Sequence, residues 1–198
     1  MPPLKRAIDI AVAAGLAIAS APVVAAAVFV VWKEQSGPVF YRAVRVGRRG
    51  QLFTLYKLRT MDDRSPDSPI SMPGDGRVSE AGRWLRRSKI DELPQLVNVL
   101  RGDMSLVGPR PEDPRIVAHY TERQRGVLSV RPGITSPASI LFRDEASFLH
   151  GATLAEVEQH YLISLLPAKL EMDLDYVGSR SNIQDLLILV RTVRAVLR

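Results

Sequence analysis

Two adjacent acidic residues, Asp91 and Glu92, lie directly before Leu93 and Pro94 in this 198-residue sequence. Because proline is accepted in the first turn of a helix, Pro94 predicts that a helix begins here, with Asp91 at or near its N-cap and Glu92 at its first position. A carboxylate so placed accepts backbone N–H bonds and lies near the positive helix end, and both effects favour its ionised form. An ionised aspartate is a competent nucleophile or metal ligand. Taken in isolation, the same four residues are more simply a helix cap beside a solvated acid.

Basic residues are dense around these two acids and favour a phosphate-bearing ligand. Those of interest are Lys57, Arg59, Arg83, Arg86, Arg87, Lys89 and Arg110. Arg110 lies in a stiff Gly-Pro-Arg-Pro segment, and its planar guanidinium group suits bidentate recognition of phosphate. Acids beside a polyphosphate usually imply a divalent cation, so we expect Mg²⁺ held by Asp91 and Glu92.

The composition excludes several other chemistries. The chain has no Cys, which excludes disulfides, iron–sulfur clusters, Cys-ligated zinc and thiol catalysis. Its His residues lack zinc-like spacing, and the glycine patterns of P-loop, dinucleotide-binding and serine-hydrolase sites are absent from the sequence. The formal net charge of +6 favours anionic partners: nucleic acid, phosphorylated metabolites or anionic lipid. An aromatic content of 6% argues weakly against a single-strand nucleic-acid binder.

The N-terminal stretch Ala7–Trp32 is apolar except for Asp9 and is long enough to cross a bilayer as a helix. Ser20 and Pro22 interrupt it, and each half is then too short to span the membrane alone. Both flanks are basic, and basic flanks prefer the cytoplasmic side. We therefore expect a re-entrant helix-break-helix over residues 1–33. A plain spanning helix with a proline kink is nearly as well supported, whereas a cleaved signal peptide is disfavoured by the length of the stretch.

The remaining residues, 34–198, are predicted to form one catalytic domain. A β-hairpin is expected from residues 39–41 and 52–58 around a turn at Gly47–Gly50, followed by a loop over 62–77. Apolar spacing predicts a helix over Leu93–Leu100 that stops at Gly102. The fold class is therefore α+β and mostly helical.

Two later helices carry capping-box patterns. Thr153 with Glu156 opens a helix that is expected to end near Pro167, and Ser181 with Gln184 opens the last helix. The last helix has apolar residues on one side and basic residues on the other, namely Leu186, Leu187, Val190, Val193 and Leu197 against Arg191, Arg194 and Arg198. Such a helix is usually a core helix with a solvated face, but it could also be an amphipathic helix at a membrane interface.

The combined motifs resemble those of the bacterial sugar transferases, the small monotopic phosphoglycosyl transferases that act on polyprenol phosphate. The resemblance covers most of the chain up to Thr135. It is carried by the segments Lys5–Asp9, Gly37–Tyr41, Lys57–Met61, Asp91–Gln95, Gly102–Ser105, Val107–Glu112 and Arg131–Thr135. Asp175, Tyr176 and Ser181 also resemble the end of that family's sequences.

This resemblance implies a transferase of phosphorus-containing groups. Sugar-1-phosphate would pass from a UDP-sugar to polyprenol phosphate, with release of UMP. Asp91 would be the nucleophile that takes the phosphosugar covalently, and Glu92 would assist the acceptor. Arg110 and Pro111 would hold the nucleotide or its phosphates. Further phosphate contacts are expected from Lys57, Arg59, Arg83 and Arg86.

The resemblance also implies a location and partners. The catalytic core, with its amphipathic interfacial helices, would lie on the cytoplasmic face of the bacterial inner membrane, at the first membrane step of glycoconjugate or exopolysaccharide assembly. Its partners would be the UDP-sugar, polyprenol phosphate and the lipid bilayer, without nucleic acid, and a homo-oligomer is left open. The chain is expected to be the minimal catalytic form.

One segment departs from the family pattern. Many relatives continue after Thr135 with a different, glycine-containing sequence, whereas this chain has Ser136–Asp144. The preferred sugar is therefore open, since this segment could shape the sugar pocket. The competing class is a non-enzymatic, membrane-anchored basic protein that binds nucleic acid or anionic lipid. That class explains the charge and Ala7–Trp32, but not two acids beside a rigid arginine.

Overall fold

The computed structural model describes residues 2–34, 37–61 and 76–196. The described chain is mostly helical and contains two small two-stranded sheets, which confirms the mostly helical α+β fold class. Most of the predicted loop at 62–77 lies outside the described residues, as do Leu197 and Arg198. The boundary between residues 1–33 and 34–198 stays a prediction.

The first helix, α1, runs from Pro3 to Glu34 and is helical through both Ser20 and Pro22. The predicted interruption of the secondary structure at this point is therefore wrong. Proline removes one backbone hydrogen bond, and the apolar residues around it give the other backbone groups no partner outside the helix. Within the described residues, α1 is the single helix long and apolar enough to cross a membrane. Its re-entrant path stays a prediction.

Both halves of α1 pack on the same protein body. The buried residues Asp9, Ala13, Ala27 and Val31 follow one helical face, and most other α1 positions are exposed. Ala13 belongs to a core cluster with Leu55, Leu96, Val99, Met104 and Tyr176. Ala27 and Val31 belong to a second cluster with Leu58 and Leu85.

Polar contacts fix the N-terminal end of α1. The Asp9 carboxylate accepts from the Ser105 hydroxyl at 2.8 Å, and Arg6 donates to the Val99 carbonyl oxygen at 2.6 Å. The Lys5 ammonium pairs with Asp185, near the start of the last helix. These contacts tie the beginning of α1 to residues that lie about 90 to 180 positions later in the chain.

The predicted β-hairpin is confirmed. β1 (Phe40–Val46) pairs antiparallel with β2 (Leu52–Leu58) across the turn at Arg48–Gly50. In this turn Arg49 has a φ of 60°, one of two positive values among the described non-glycine residues. The outer edge of β2 is covered by the buried Asn98 side chain, which accepts from the Tyr56 amide at 3.2 Å and donates to the Thr54 carbonyl oxygen at 2.7 Å.

Three short helical elements follow the hairpin: α2 (Glu80–Arg87), a 3₁₀ helix (Ile90–Gln95) and α3 (Leu96–Arg101). Gly102 ends α3 with a φ of 93°, as its position predicts. The helix begins earlier than expected, so Asp91 lies near the N-cap but not at it, and Glu92 is the third helical residue rather than the first. The 3₁₀ helix is preceded by Lys89, in a left-handed conformation at φ 58°, and no side chain caps it. This left-handed turn lets the chain reverse directly after α2, so Asp91 falls inside the first turn.

A second sheet lies behind the 3₁₀ helix. β3 (Ser105–Val107) and β4 (Gly133–Thr135) are parallel and are followed by α4 (Pro114–Val117) and α5 (Pro137–Leu141), respectively. The backbones of Gly108 and Gly133 are in direct contact, since a Cβ on Gly133 would lie 2.1 Å from the Gly108 nitrogen. This close approach fixes the start of the Pro109–Glu112 loop.

The C-terminal part is helical. It comprises α6 (Leu154–His160), a π-helical turn (Tyr161–Leu165), α7 (Leu166–Ser179) and α8 (Asn182–Val196). The Thr153–Glu156 capping box is confirmed, but the helix does not end near Pro167, because that proline lies in the first turn of α7, where it breaks no hydrogen bond.

The last helix is not the core helix that is usually expected from such a pattern. Its exposed apolar residues are Ile183, Leu186, Leu187, Val190 and Val193. The described residues of α8 that are buried are Asp185 and Ile188. The core-helix interpretation is therefore wrong, and an unusually apolar surface faces outward.

Candidate active site

A groove of about 1720 Å³ opens between the hairpin, the 3₁₀ helix, α5 and α8. The predicted site residues that line it are Lys57, Arg59, Arg86, Asp91, Glu92, Arg110 and Pro111. Arg83 is not part of this lining; its side chain donates to the Val78 carbonyl oxygen at 3.0 Å. The structure therefore brings the predicted site residues together with the exception of Arg83.

Glu92 is the centre of an ion cluster. Its Oε1 accepts from Lys57 Nζ at 2.9 Å and from Arg110 Nη2 at 3.0 Å. Burial disfavours the charged carboxylate, but the Arg110 and Lys57 charges outweigh it and hold the pKa of Glu92 well below its usual range. The same ion pair raises the pKa of Arg110. Glu92 is thus ionised, paired and held in a fixed orientation.

Asp91 lies beside this cluster but differs from Glu92 in its pairing. The residue is 6% exposed, and its buried Oδ1 has no hydrogen-bond partner among the described residues. Burial raises the pKa of Asp91 despite the nearby Lys57 charge. The expectation that helix-end contacts favour its ionised form is therefore wrong, because Asp91 does not cap the helix. Its orphaned oxygen points instead to a ligand that completes the site.

Lys89 adds a further cation to the groove. Its side chain is half-buried and lines the groove next to the two acids. Burial lowers the pKa of Lys89, although the Glu92 charge favours the protonated form. We refer to Lys57, Lys89, Asp91, Glu92 and Arg110 as the front cluster.

The Arg59 and Arg86 guanidinium groups lie at the end of β2. Arg59 Nε donates to the Met61 carbonyl oxygen at 3.2 Å, and Arg86 Nε donates to the Thr60 hydroxyl at 2.8 Å. Both side chains line the groove and give this end of it a positive charge.

A second ion cluster, which the sequence did not reveal, lies next to the Pro109–Glu112 loop, and its residues also line the groove. Lys169 Nζ contacts Glu112 at 3.4 Å, Glu145 at 2.8 Å and the Tyr161 hydroxyl at 3.0 Å. The Tyr161 hydroxyl donates to Glu112 at 2.9 Å. We refer to Glu112, Glu145, Tyr161 and Lys169 as the rear cluster. Because Glu112 is two residues from Arg110, the rear cluster holds the loop that presents Arg110.

The π-helical turn sets the geometry of the rear cluster. Residues eight positions apart, such as Tyr161 and Lys169, are offset by about 80° around a regular α-helix. A π-turn winds more residues into each turn and removes most of this offset. Both side chains therefore reach Glu112 from the same helix face.

Asp173 lies one turn after Lys169 and faces the backbone N–H of Arg110 and the Ser136 hydroxyl. It is 3% exposed, and its Oδ1 has no hydrogen-bond partner among the described residues. Burial raises the pKa of Asp173 to about 6, although both of these groups stabilise its ionised form. The sequence did contain a sign that these two charged residues are buried, since Lys169 and Asp173 lie in the same helical stripe as Leu166, Leu170 and Tyr176. Charged residues in an apolar stripe usually have buried partners.

The segment that departs from the family pattern forms another wall of the groove. Ser139 and Arg143 are among its lining residues. Arg143 donates to the Arg87 carbonyl oxygen at 2.9 Å and also to the Ala195 carbonyl oxygen, so it ties together the ends of α2 and α8. The segment is therefore rigidly held at the site.

The carboxylates that could hold a divalent cation at the front cluster are Asp91 and Glu92. Within the described residues, no group of three or more His, Cys, Asp or Glu side chains forms a metal site of its own. A cation at this position would depend on phosphate oxygens of a ligand for its remaining coordination, as is common for Mg²⁺.

Comparison with known proteins gives a consistent result. A family profile described as bacterial sugar transferase matches residues 2–198. The chain is 39% identical to an uncharacterized sugar transferase, EpsL, of Bacillus subtilis over 98% of its own length and 87% of that protein. It is 38% identical to a UDP-glucose:undecaprenyl-phosphate glucose-1-phosphate transferase of Caulobacter vibrioides over 98% of its own length and 69% of that protein.

A third relative carries the name of a different sugar. The UDP-N-acetylgalactosamine-undecaprenyl-phosphate N-acetylgalactosaminephosphotransferase of Aeromonas hydrophila is 33% identical over 98% of this chain. The chain spans 44% of the length of that protein. The two relatives whose names give a reaction thus agree on transfer to undecaprenyl phosphate and differ in the sugar named.

Proposed function

The chain belongs to the bacterial sugar transferase family, and from this we propose that it moves a sugar-1-phosphate from a UDP-sugar to polyprenol phosphate. The products are polyprenol-diphosphate-sugar and UMP. The observation that carries the proposal is the unpartnered Asp91 Oδ1, a buried carboxylate oxygen on a groove that is rich in cations. The names of two relatives, a glucose-1-phosphate transferase and an N-acetylgalactosaminephosphotransferase, point the same way.

The proposed reaction has two displacements at one phosphorus atom. An Asp91 carboxylate oxygen attacks the phosphorus that bears the sugar, the bond to the UMP oxygen breaks, and UMP leaves. A phosphate oxygen of polyprenol phosphate then attacks the same phosphorus. The acyl-phosphate bond breaks, and the Asp91 carboxylate is restored.

The other front-cluster residues suit the charges of this reaction. Arg110 is a planar donor beside the nucleophile and matches a phosphate of the donor. Lys57, Arg59 and Arg86 add positive charge along the same groove, which stabilises the anionic phosphoryl group as it transfers. Glu92 is ionised at the side of Asp91, where it orients Lys57 and Arg110 and is placed to assist the acceptor phosphate. The predicted contact from Arg83 receives no support from its position.

Magnesium fits this site as a partner of the substrate. The orphaned Asp91 Oδ1 is the kind of hard oxygen ligand that Mg²⁺ takes, and Glu92 supplies the neighbouring carboxylate. When bound, the cation would neutralise charge on the diphosphate.

We also propose that α1 enters and leaves the membrane on the cytoplasmic side. Support comes from both ends of the helix, since Arg6 and Asp9 bond to the catalytic body at one end and Ala27 and Val31 pack on it at the other. Because both ends of α1 are fixed to the same folded body, neither end can lie across the bilayer from that body. The exposed positions between these ends are apolar, as lipid contact requires.

The outward face of α8 is proposed to lie at the same membrane interface. Its exposed leucines and valines would enter the headgroup boundary, and Arg191 and Arg194 would meet anionic headgroups. The Lys5–Asp185 pair places the start of α8 beside the start of α1, so the two apolar surfaces begin at the same place. This arrangement supports a catalytic body on the cytoplasmic face of the bacterial inner membrane, where a water-soluble donor meets a lipid acceptor.

The activity is tested with purified protein in detergent, a panel of UDP-sugars and a polyprenol phosphate. We expect UMP release from at least one donor, with release beyond one equivalent only when the acceptor is present. With that donor alone, intact-protein mass spectrometry should show an added sugar phosphate that is absent from Asp91→Asn. No UMP from any donor would reject the transferase and favour a non-enzymatic basic protein at the membrane.

The topology is tested in intact cells with single cysteines, since the chain has none of its own. Pro2→Cys and Lys33→Cys lie at exposed positions at the two ends of α1. A membrane-impermeant thiol reagent should label neither site until the membrane is permeabilised. Labelling of Pro2→Cys alone in intact cells would establish a spanning helix and contradict the re-entrant path.

A further inference from the structure

Lys89 is the front-cluster cation that has no hydrogen-bond or ion-pair partner within residues 2–34, 37–61 and 76–196. Among the described residues, no oxygen lies within hydrogen-bond or ion-pair distance of its ammonium group, whereas Lys57 and Arg110 both pair with Glu92. A half-buried ammonium without a partner is costly, because it has lost part of its hydration and gained no bond in return. A bound anion would offset this cost by accepting hydrogen bonds from the ammonium group.

The backbone at Lys89 adds a second, independent cost. Its φ of 58° is left-handed, a conformation that a residue with a Cβ adopts at a penalty and that glycine adopts freely. A turn that served the fold alone would be more stable with glycine or asparagine. Residues held in such strained conformations cluster at ligand-binding and catalytic sites.

These two features place a strained residue and an unpaired charge at one point of the groove. Lys89 is two residues before Asp91 and lines the same groove, and its left-handed turn is what opens the 3₁₀ helix that carries both acids. Since Glu92 already engages the other two cluster cations, Lys89 is the lysine in the front cluster whose donors are open to an incoming anion.

We infer that Lys89 binds phosphate oxygens of a substrate in the groove. The inference rests on the proposed function and deepens it, because that reaction brings two phosphate ligands to Asp91: the diphosphate of the donor and the phosphate of the lipid acceptor. An ammonium on a flexible stem suits this task, since it can turn its three donors toward a phosphate. The shared chemistry is a phosphate group beside Asp91.

The chain offers a matched control for the backbone strain. Arg49 is the other described non-glycine residue with a left-handed φ, at 60°, and it lies in the hairpin turn outside the groove. Lys89→Gly and Arg49→Gly relieve the same strain, but only the first removes a groove cation. Lys89→Arg keeps the positive charge.

The experiment measures melting temperature, its shift on addition of inorganic pyrophosphate or UMP, and the two KM values. Lys89→Gly should melt at or above the wild-type temperature, lose most of the pyrophosphate-induced shift and raise at least one KM about tenfold. Arg49→Gly should show the wild-type shift and KM values, and Lys89→Arg should recover most of the binding. If the UDP-sugar KM rises and the UMP-induced shift is lost, Lys89 binds a phosphate of the donor. If only the polyprenol phosphate KM rises, Lys89 binds the phosphate of the acceptor.

The proposal is overturned if Lys89→Gly keeps the pyrophosphate shift and both KM values within twofold of wild type. It is also overturned if Arg49→Gly weakens binding as much as Lys89→Gly does. Failure of the proposed function is seen separately, as an absence of UMP release by the wild-type protein. The pyrophosphate shift needs no turnover, so it still tests Lys89 in that case.

Discussion

The front and rear clusters are built from the same kinds of residue but differ in how far their charged groups are paired. In the rear cluster, Lys169 contacts Glu112, Glu145 and Tyr161, so its charge is surrounded by acceptors from three elements. In the front cluster, one oxygen of Glu92 accepts from two cations, while the Asp91 Oδ1 and the Lys89 ammonium have no partner among the described residues. A saturated ion cluster holds a fold together, and an unsaturated one is prepared for a ligand.

The two clusters are also mechanically joined. Arg110 belongs to the front and Glu112 to the rear, and both lie in a loop whose start is fixed by the Gly108–Gly133 contact. The rear cluster therefore provides the rigidity that a positioned guanidinium requires, and its charges are already paired with one another although its residues line the same groove.

The largest effect is expected at the unsaturated cluster. Asp91→Asn should reduce turnover about a thousandfold or more, because it removes the nucleophile, while the free energy of unfolding stays equal or rises. The measurement is UMP release together with chemical denaturation in detergent. Asp175→Asn, at an exposed position of α7, is the control and should keep full activity. Near-normal UMP release from purified Asp91→Asn would contradict the role of Asp91 as nucleophile, and with it the assignment of the front cluster as the catalytic one.

The opposite outcome is expected at the saturated cluster. Lys169→Met should lower the free energy of unfolding by at most about 3–5 kcal/mol, because the largely shielded Glu112 and the partly exposed Glu145 lose their shared cation. Adding Glu112→Gln should recover part of this loss. The control is Glu171→Gln on the same helix as Lys169. It breaks an exposed ion pair with Arg123 and should cost less than about 1 kcal/mol. A Lys169→Met protein as stable as the control would show that the rear cluster is not structural.

The pH dependence of stability should report Asp173, behind the loop. Its pKa of about 6 is above the unfolded value of about 3.9, so its contribution to stability is fully present below about pH 4 and is lost as the pH rises through 6. The loss is at most about 3 kcal/mol. Asp173→Asn should abolish this decline, as measured by denaturation at pH 5 and pH 8. Identical pH profiles for the two proteins would exclude a buried neutral Asp173.

The smallest effect is expected from the residue that joins the clusters. Arg110→Ala should raise the donor KM by about tenfold to a hundredfold, since it removes one charged phosphate contact. Lys57 still pairs with Glu92, so the fold should persist. Arg125→Ala, at an exposed position, is the matched control. A donor KM unchanged by Arg110→Ala would assign Arg110 to the structure rather than to the ligand.

The features that could be predicted from the sequence are those determined by a few neighbouring residues. The hairpin turn at Gly47–Gly50, the left-handed stop at Gly102 and the capping box of Thr153 with Glu156 all belong to this class. The two acids and most of the basic residues of the site were also recognisable, because they are clustered in the sequence around Asp91 and on the strand that lies beside it.

What could not be predicted depends on contacts between distant residues. Lys169 meets Glu112, 57 positions away, and the π-turn that aligns it with Tyr161 has no marker in the local sequence. The pKa of Asp91 was predicted in the wrong direction, because it depends on burial and not on a helix end. The outward apolar face of α8 has the same periodicity as a core helix, and the pattern alone does not say whether lipid or protein covers it.

The ion pair between Lys5 and Asp185 has a consequence for the order of events during synthesis. The two residues are 180 positions apart, so at about 5–20 residues per second roughly ten to forty seconds separate their translation. Within that interval Arg6 and Asp9 can already contact Val99 and Ser105, whereas Lys5 has no Asp185 to pair with. The Lys5–Asp185 ion pair therefore forms later in synthesis than the other polar contacts of α1.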